Sequence, residues 1–240
     1  MGYNIQTLDE RTWLIEESGE CNVYMYLLAG DERAVLIDAG YGTIPLDRIV
    51  GSLTALPVTV LCTHGHFDHI GGIGYFPQAL MHRADRELYR RQLSELSAGT
   101  PAPAKDPVWF DGSFTLDLGN RTLEIFPVPG HTRGCVAILD AERRQLFTGD
   151  TCCKGAVLLH FDHSADLFAY RESIAAILQM GHRFDRTWPS HHEKPVGAEI
   201  PAQFLEGADL LLSGSARGEE IPGTCGRNHI FAHRDIEILY

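Results

Sequence analysis

Residues 63–72, Thr-His-Gly-His-Phe-Asp-His-Ile-Gly-Gly, constrain this chain more than any other stretch. The run contains three imidazoles and a carboxylate, the side chains that usually bind Zn²⁺ and related divalent ions in proteins. The β-branched, apolar segment 58–63 leads into it and is typical of a buried strand. The run therefore predicts a metal site at the end of a buried strand.

The spacing within this run divides its ligands into two pairs. His64 and His66 point to the same side of an extended chain, because side chains alternate with period two. Asp68 and His69 follow where the chain turns, so they can be directed at a second point nearby. We therefore expect two metal positions. The alternative is a solvated His-rich loop that binds metal adventitiously, and it predicts no matching ligands later in the chain.

Matching ligands do follow, at three later strand ends. They are Gly130-His131, Gly149-Asp150 and Ser190-His191, each directly after a hydrophobic segment. One such dipeptide alone would be an ordinary turn. Their order after the His-x-His-x-Asp-His run favours one shared metal centre, with His192 as an alternative to His191.

The size and composition fit one domain over residues 1–240. Hydrophobic residues make up 44% and charged residues 22%, which is usual for a globular protein. The net charge of −12 argues against nucleic acid or an anionic membrane as the partner, so we expect a small-molecule substrate. The N-terminus shows no signal-peptide pattern, and no apolar run reaches the ~20 residues of a membrane helix. The six cysteines are expected to be free thiols in a reducing cytoplasm.

Hydrophobic periodicity predicts strands and helices in alternation. Predicted strands cover 12–16, 21–28, 34–38, 58–63, 78–82, 114–118, 121–128, 135–139, 145–148, 186–189 and 230–239, and predicted helices cover 45–56, 84–96, 164–180 and 201–212. Ser164 is the predicted N-cap of the third helix. This order suits two packed sheets with helices outside.

With these residues in view, the chain resembles the metallo-β-lactamase superfamily from about Val23 to Pro195. The matching motifs are Asp38-Ala39-Gly40, His64–His69, Gly130-His131, Gly149-Asp150 and the late His191. The resemblance implies an α/β fold, an αββα sandwich of two mixed β-sheets with helices on the outer faces.

The resemblance also implies a division of the ligands between two divalent ions per chain. His64, His66 and His131 would hold the first ion, and Asp68, His69 and His191 the second. Asp150 would bridge both, and Asp38 would tether the ligand loop without binding metal. Zinc is the expected metal, with iron or manganese as alternatives. In the flavin-partnered di-iron relatives Glu commonly replaces the second His, so His66 argues against oxygen-reducing chemistry.

This set implies a hydrolase in which a hydroxide between two ions, ~3.5–4 Å apart, attacks the substrate. Asp68 would be the catalytic residue that orients this nucleophile or accepts its proton. The expected substrate is a small thioester, ester or lactone. Alternatives are a phosphodiesterase of the same fold and a non-catalytic, metal-stabilised binding or sensor module. We also consider that His160 or His163 contacts the substrate, against a surface or helix-cap role for both.

Overall fold

Seven strands of the N-terminal half form one sheet in chain order. The computed structural model describes residues 2–19, 21–223 and 226–240, and the chain forms two compact units, residues 1–125 and 126–240. The strands of this first sheet are β1 (Tyr3–Asp9), β2 (Thr12–Glu17), β3 (Val23–Ala29), β4 (Ala34–Ile37), β5 (Val58–Leu61), β6 (Ala79–His82) and β7 (Val108–Phe110). Strands β1 to β4 pair antiparallel, whereas β4 to β7 pair parallel.

Helical crossovers connect the parallel strands, as parallel pairing requires. Helix α1 (Leu46–Leu53) joins β4 to β5, and α3 (Arg86–Gln92) lies between β6 and β7. A short helix, α2 (Phe67–Ile70), follows β5 and continues as a 3₁₀ turn over Gly71–Tyr75. The core of this unit includes the fully buried strand β3 and the inward faces of α1 and β5.

A hairpin closes the first unit. Its strands are β8 (Phe114–Asp117) and β9 (Thr122–Pro127), which pair antiparallel. Arg121 lies between them and is 1% exposed. Its guanidinium donates hydrogen bonds to the carbonyls of Arg11 and Ala29 and to Oγ1 of Thr12. The buried cation is therefore hydrogen-bonded to strand-end oxygens of the same unit, as a buried charge requires.

The second unit contains two sets of paired strands. Strands β10 (Val136–Asp140), β11 (Gln145–Gly149), β13 (Arg186–Pro189) and β14 (Val196–Gly197) lie in the order β14-β13-β11-β10. Strands β12 (Ala156–Leu158), β15 (Glu219–Gly223), β16 (Gly226–His233) and β17 (Ile236–Leu239) form a sheet in the order β12-β17-β16-β15. Helices α4 (Leu167–Gln179) and α5 (Glu199–Leu212) supply Tyr170, Ile174, Ile177 and Phe204 to the core of this unit.

Most predicted elements occur within a few residues of their predicted bounds, but two predictions were wrong. The N-cap of α4 is Asp166, whose Oδ1 accepts a hydrogen bond from the Ala169 amide, and not Ser164. The predicted strand 230–239 is two antiparallel strands, β16 and β17. Their turn contains Arg234 at φ 55°, without the Gly, Asn or Pro that marks such a turn in sequence. Strands β1, β7, β12, β14 and β15 were not predicted.

The described cysteines carry no disulfide. Cys21, Cys62, Cys135, Cys152 and Cys153 are free, whereas Cys225 lies outside the described residues. In the same described part of the chain, no helix combines the length and apolar character needed to cross a membrane. One domain over residues 1–240 stays a prediction.

Candidate metal centre

In the first unit, two parallel strands bring Asp38 and the ligand run to the same edge. Ile37 of β4 pairs with Leu61 of β5, and the Asp38 amide donates to the Leu61 carbonyl at 3.0 Å. Residues that follow two adjacent parallel strands leave the sheet side by side, which is where α/β sheets commonly bind ligands. The sequence after each strand therefore determines which side chains meet there.

Asp38 connects this edge to the ligand loop through three hydrogen bonds. Its carboxylate accepts from the Thr63 amide at 2.7 Å and from Thr63 Oγ1 at 2.8 Å. Its Oδ2 also lies 2.8 Å from Nδ1 of His69. All three side chains are at least 99% buried, so the carboxylate is shielded from water and held by these partners.

These contacts orient His69 and His64. The Nδ1–H of His69 donates to Asp38, which leaves Nε2 deprotonated and available to a metal. The hydroxyl proton of Thr63 is already donated to Asp38, so Thr63 Oγ1 accepts from Nδ1 of His64 at 3.0 Å. The Nε2 of His64 therefore also presents a lone pair.

The ligand atoms of the first unit lie in two adjacent pairs. Nε2 of His64 lies 2.9 Å from Nδ1 of His66, and Nε2 of His69 lies 3.7 Å from Oδ2 of Asp68. The rings of His64 and His69 are 4.0 Å apart between centroids. The spacing argument thus matches the local geometry: each pair of neighbouring ligands in the run points at a common place.

The glycines after the run allow the loops to approach. The Gly71 amide donates to the Gly40 carbonyl at 2.9 Å, and the Gly72 amide donates to the Ala39 carbonyl at 3.0 Å. A Cβ on Gly71 would lie 2.2 Å from the carbonyl of Tyr41. Only glycine fits there, and the close contact fixes α2 against the loop that contains Asp38.

In the second unit, a parallel strand pair brings Asp150 and His191 together. Gly149 at the end of β11 pairs with Pro189 at the end of β13, and the Ser190 amide donates to the Gly149 carbonyl at 3.1 Å. Nε2 of His191 consequently lies 3.6 Å from Oδ2 of Asp150.

His131 approaches the same carboxylate oxygen from the turn after β9. Its Nε2 lies 3.5 Å from Oδ2 of Asp150. Its Nδ1 donates to the Leu158 carbonyl at 2.9 Å, and this again puts the lone pair on Nε2. Ser164 Oγ donates to the His131 carbonyl at 2.8 Å, so the residue predicted as a helix cap instead holds this turn.

The arrangement favours His191 over His192 as the late ligand. The His192 ring lies against Gly155, where an added Cβ would be 3.0 Å from it. Burial lowers the pKa of His192, and the neighbouring His191 lowers it further. Its backbone has φ 67°, in the left-handed region, and the rings of His191 and His192 are 6.4 Å apart between centroids and inclined by 65°.

The donor atoms fit divalent metal. Ligand atoms bonded to one tetrahedral Zn²⁺ at 2.0–2.2 Å lie about 3.3–3.6 Å apart. The contacts of Asp150 with His131 and His191, at 3.5 and 3.6 Å, lie within that range. The Asp68–His69 separation of 3.7 Å is slightly longer, and the His64–His66 separation of 2.9 Å is a hydrogen-bond distance. The structure therefore contains His and Asp groups that could hold a metal ion.

The family model of the metallo-beta-lactamase superfamily matches residues 18–156, more than half of the chain. The chain belongs to this superfamily. Curated relatives include the bovine acyl-coenzyme A thioesterase MBLAC2, which is 26% identical over an alignment covering 100% of this chain and 92% of that protein. Hydroxyacylglutathione hydrolase of Aeromonas hydrophila is 31% identical over 53% of this chain and 46% of its own length.

Solved structures of the superfamily confirm the predicted fold class. The metallo-beta-lactamase from Pontibacter korlensis gives a TM-score of 0.68 at 21% identity, covering 87% of this chain and 99% of that chain. The metallo-beta-lactamase from Erythrobacter litoralis gives 0.70 at 21% identity, covering 86% and 96%. This chain therefore has the metallo-β-lactamase fold.

Two other histidines of the second unit form an aromatic cluster. Phe161 stacks on His163, with 4.9 Å between centroids, and lies 4.2 Å from His160. Phe161 also lies 6.1 Å from His131 in an edge contact. Burial lowers the pKa of His160. The cluster lies beside a superfamily ligand position, and substrate contact by either histidine stays a prediction.

Glu17 and Tyr41 support the ligand loop and were missed in the sequence. Glu17 is fully buried, and its carboxylate accepts from the amides of Tyr41 at 2.8 Å and Thr43 at 2.9 Å. Burial and, to a lesser extent, the charge of Asp68 raise the pKa of Tyr41 to about 12. The neutral phenol donates to the Cys21 carbonyl at 2.8 Å. A carboxylate at an inward position of strand β2 was the only available signal.

Proposed function

We propose that this protein is a metal-dependent hydrolase of small acyl thioesters. Its relatives named above include two kinds of thioester hydrolase, one acting on acyl-coenzyme A and one on hydroxyacylglutathione. The observation that carries the proposal is the orientation of its imidazoles. His64, His69 and His131 each donate through Nδ1 to an oxygen of their own unit and so present Nε2 to a metal.

The proposed ligand set follows the superfamily pattern. His64, His66 and His131 would hold one divalent ion, Asp68, His69 and His191 the second, and Asp150 would contact both. The proximity of Asp150 Oδ2 to the Nε2 atoms of His131 and His191 supports the bridging role. When bound, such ions supply a water that is deprotonated near neutral pH and polarise the substrate carbonyl.

Asp68 is the residue proposed to act on the attacking water. Its side chain is 16% exposed, whereas that of His69 beside it is fully buried. A carboxylate that reaches solvent at the ligand loop can orient the water and accept its proton.

The bond broken is the carbon–sulfur bond of the thioester. Attack of the water oxygen on the carbonyl carbon gives a carboxylic acid, and the electron pair of the broken bond leaves on sulfur. An alkyl thiolate is a good leaving group because the thiol pKa is about 8.5. No acid has to protonate it before it departs, in contrast to an amide nitrogen.

A hydrolysis panel tests the proposal on metal-replete protein of known metal content. We expect turnover of butyryl-coenzyme A and of an S-acylglutathione, loss of turnover with chelator, and recovery on adding Zn²⁺. A lactone, a cephalosporin and bis(p-nitrophenyl) phosphate serve as comparison substrates. Protein that contains two metal ions per chain and hydrolyses no thioester would contradict the proposal, and cleavage of the phosphodiester alone would favour a phosphodiesterase.

A further inference from the structure

Phe67 is an exposed aromatic residue within the ligand run. It lies between His66 and Asp68 and remains 39% exposed. Single exposed apolar side chains are ordinary on protein surfaces. Phe67 differs because its neighbours on both sides are predicted metal ligands, so its exposed ring belongs to the same short loop as those ligands.

Tyr41 packs against Phe67. The ring centroids are 5.8 Å apart and the ring planes are inclined by 45°. This is a favourable geometry for an aromatic pair. The two rings together form a larger apolar surface than either ring alone.

Both residues are fixed by hydrogen bonds that do not involve their ring faces. The Tyr41 amide donates to Oε2 of Glu17, and its phenol donates to the Cys21 carbonyl, each at 2.8 Å. The Phe67 amide donates to Oε1 of Gln92 on α3 at 3.0 Å. The pair is therefore held before any ligand arrives, which lowers the entropy cost of binding to it.

We propose that Tyr41 and Phe67 form an apolar surface that binds the hydrocarbon part of the acyl group, which makes alkyl and aryl acyl thioesters the preferred substrates over hydroxyacyl thioesters. This inference rests on the proposed function, because it places the thioester carbonyl at the ligands beside Phe67. An alkyl chain removes its own surface and that of the two rings from water, whereas a hydroxyacyl group would lose a hydrated hydroxyl there.

Kinetics with a series of acyl-coenzyme A esters test the surface directly. For the native protein we expect kcat/KM to rise roughly two- to fourfold per added methylene from acetyl to hexanoyl. In Phe67→Ala and Tyr41→Ala, the hexanoyl-to-acetyl ratio of kcat/KM should fall roughly tenfold, mainly through KM. Tyr41→Phe keeps the ring and should keep the ratio.

Phe168→Ala is the matched control, because Phe168 is 62% exposed on α4. Its hexanoyl-to-acetyl ratio should equal that of the native protein. Metal content is measured for every variant, so that a change at the neighbouring ligands is recognised. An unchanged ratio in metal-replete Phe67→Ala and Tyr41→Ala would overturn the proposed surface and leave the thioesterase proposal intact.

Binding of thioethers separates the two proposals, because thioethers cannot be hydrolysed. Calorimetry would compare S-hexyl- and S-ethyl-N-acetylcysteamine on metal-replete protein. The native protein should bind the hexyl compound more tightly by roughly 16-fold or more, at about twofold or more per methylene, and Phe67→Ala should reduce this preference about tenfold. A protein that turns over no thioester yet shows this preference would refute the proposed function alone. Equal affinity for both thioethers would overturn the aromatic surface.

Discussion

Asp38 Oδ2 lies 2.8 Å from Nδ1 of His69, and both side chains are fully buried. The same carboxylate accepts two hydrogen bonds from Thr63, so one side chain orients both the end of β5 and a predicted ligand of the second ion. Residues that orient a metal ligand commonly change metal affinity although they never touch the metal.

Asp38→Asn should therefore weaken metal binding. The Thr63 amide bonds Oδ1 of Asp38, whereas Thr63 Oγ1 and His69 Nδ1 both bond Oδ2. An amide has one acceptor oxygen, so in either orientation its NH₂ group opposes the N–H of Thr63 or of His69. Asn tolerates the left-handed backbone of Asp38, at φ 61°, so the loop itself can persist. We expect a roughly 10–100-fold loss of affinity for one of two ions, measured by competition with a chromophoric chelator. The exposed Asp47→Asn on α1 is the control, and equal affinities in both variants would show that Asp38 does not position His69.

The late ligand can be assigned by comparing two adjacent variants. His191→Asn should lose one metal ion per chain and roughly 100-fold or more in turnover, because a ligand to the second ion is removed. His192→Asn should keep the native metal content, and Asn accepts the left-handed conformation found there. Elemental analysis of both proteins decides the point. Loss of metal from His192→Asn alone would identify His192 as the ligand.

Gly71→Ala should destabilise the protein strongly. The added Cβ would lie 2.2 Å from the carbonyl carbon and oxygen of Tyr41, which are backbone atoms that cannot rotate away. We expect a loss of about 3 kcal/mol in the free energy of unfolding, measured with urea. Gly51→Ala is the opposite case, since nothing lies within 4 Å of its added Cβ on α1. That variant should gain about 0.5–1 kcal/mol. Similar losses in both variants would refute the packing argument.

The free energy of unfolding should fall steeply in alkaline solution. Burial raises the pKa of Tyr26 and Tyr170 well above its usual value of 10.0. The folded protein then keeps phenol protons that the unfolded chain releases above pH 10, so the stabilisation is complete below pH 10 and declines as pH rises. Each buried tyrosine contributes a slope of about 1.4 kcal/mol per pH unit.

Urea unfolding between pH 9 and 11.5 measures how the free energy of unfolding changes with pH. Tyr170→Phe should reduce this slope by the contribution of one tyrosine. That variant also loses the hydrogen bond from the Tyr170 phenol to the Thr151 carbonyl, which lowers stability at every pH without changing the slope. If the substitution left the slope unchanged, the pKa of Tyr170 would be the same in the folded and the unfolded protein, and the prediction would be wrong.

The parts of the centre that were predictable depend on short stretches of sequence. The pairing of His64 with His66 follows from the period of an extended chain, and the position of Asp150 follows from a turn after an apolar strand. Both features depend only on residues that are close together in the sequence, so the sequence alone is enough to predict them. The superfamily resemblance then indicated Asp38 as a tether, and its contacts with Thr63 and His69 agree with that role.

The parts that were not predictable depend on contacts between distant residues. Glu17 looks like an ordinary polar strand residue until its carboxylate is seen to accept from Tyr41 and Thr43, more than twenty residues away. Ser164 resembles a helix cap because its neighbours are polar, yet its hydroxyl donates a hydrogen bond to the His131 carbonyl. Sequence propensity predicts the role that such a residue plays among its sequence neighbours, such as a helix cap. Its partner in the folded protein is determined by tertiary packing, which propensity does not include.

The 2.9 Å contact between Nε2 of His64 and Nδ1 of His66 has a consequence for metal uptake. His64 already donates through Nδ1 to Thr63, so the proton in this contact belongs to Nδ1 of His66. A hydrogen bond between these two nitrogens and a metal ion bound by both exclude each other, because Nδ1 of His66 must lose its proton before it can ligate. If the proposed first ion binds these two nitrogens, it would replace the hydrogen bond, and the proton would move from Nδ1 to Nε2 of His66 with no net release.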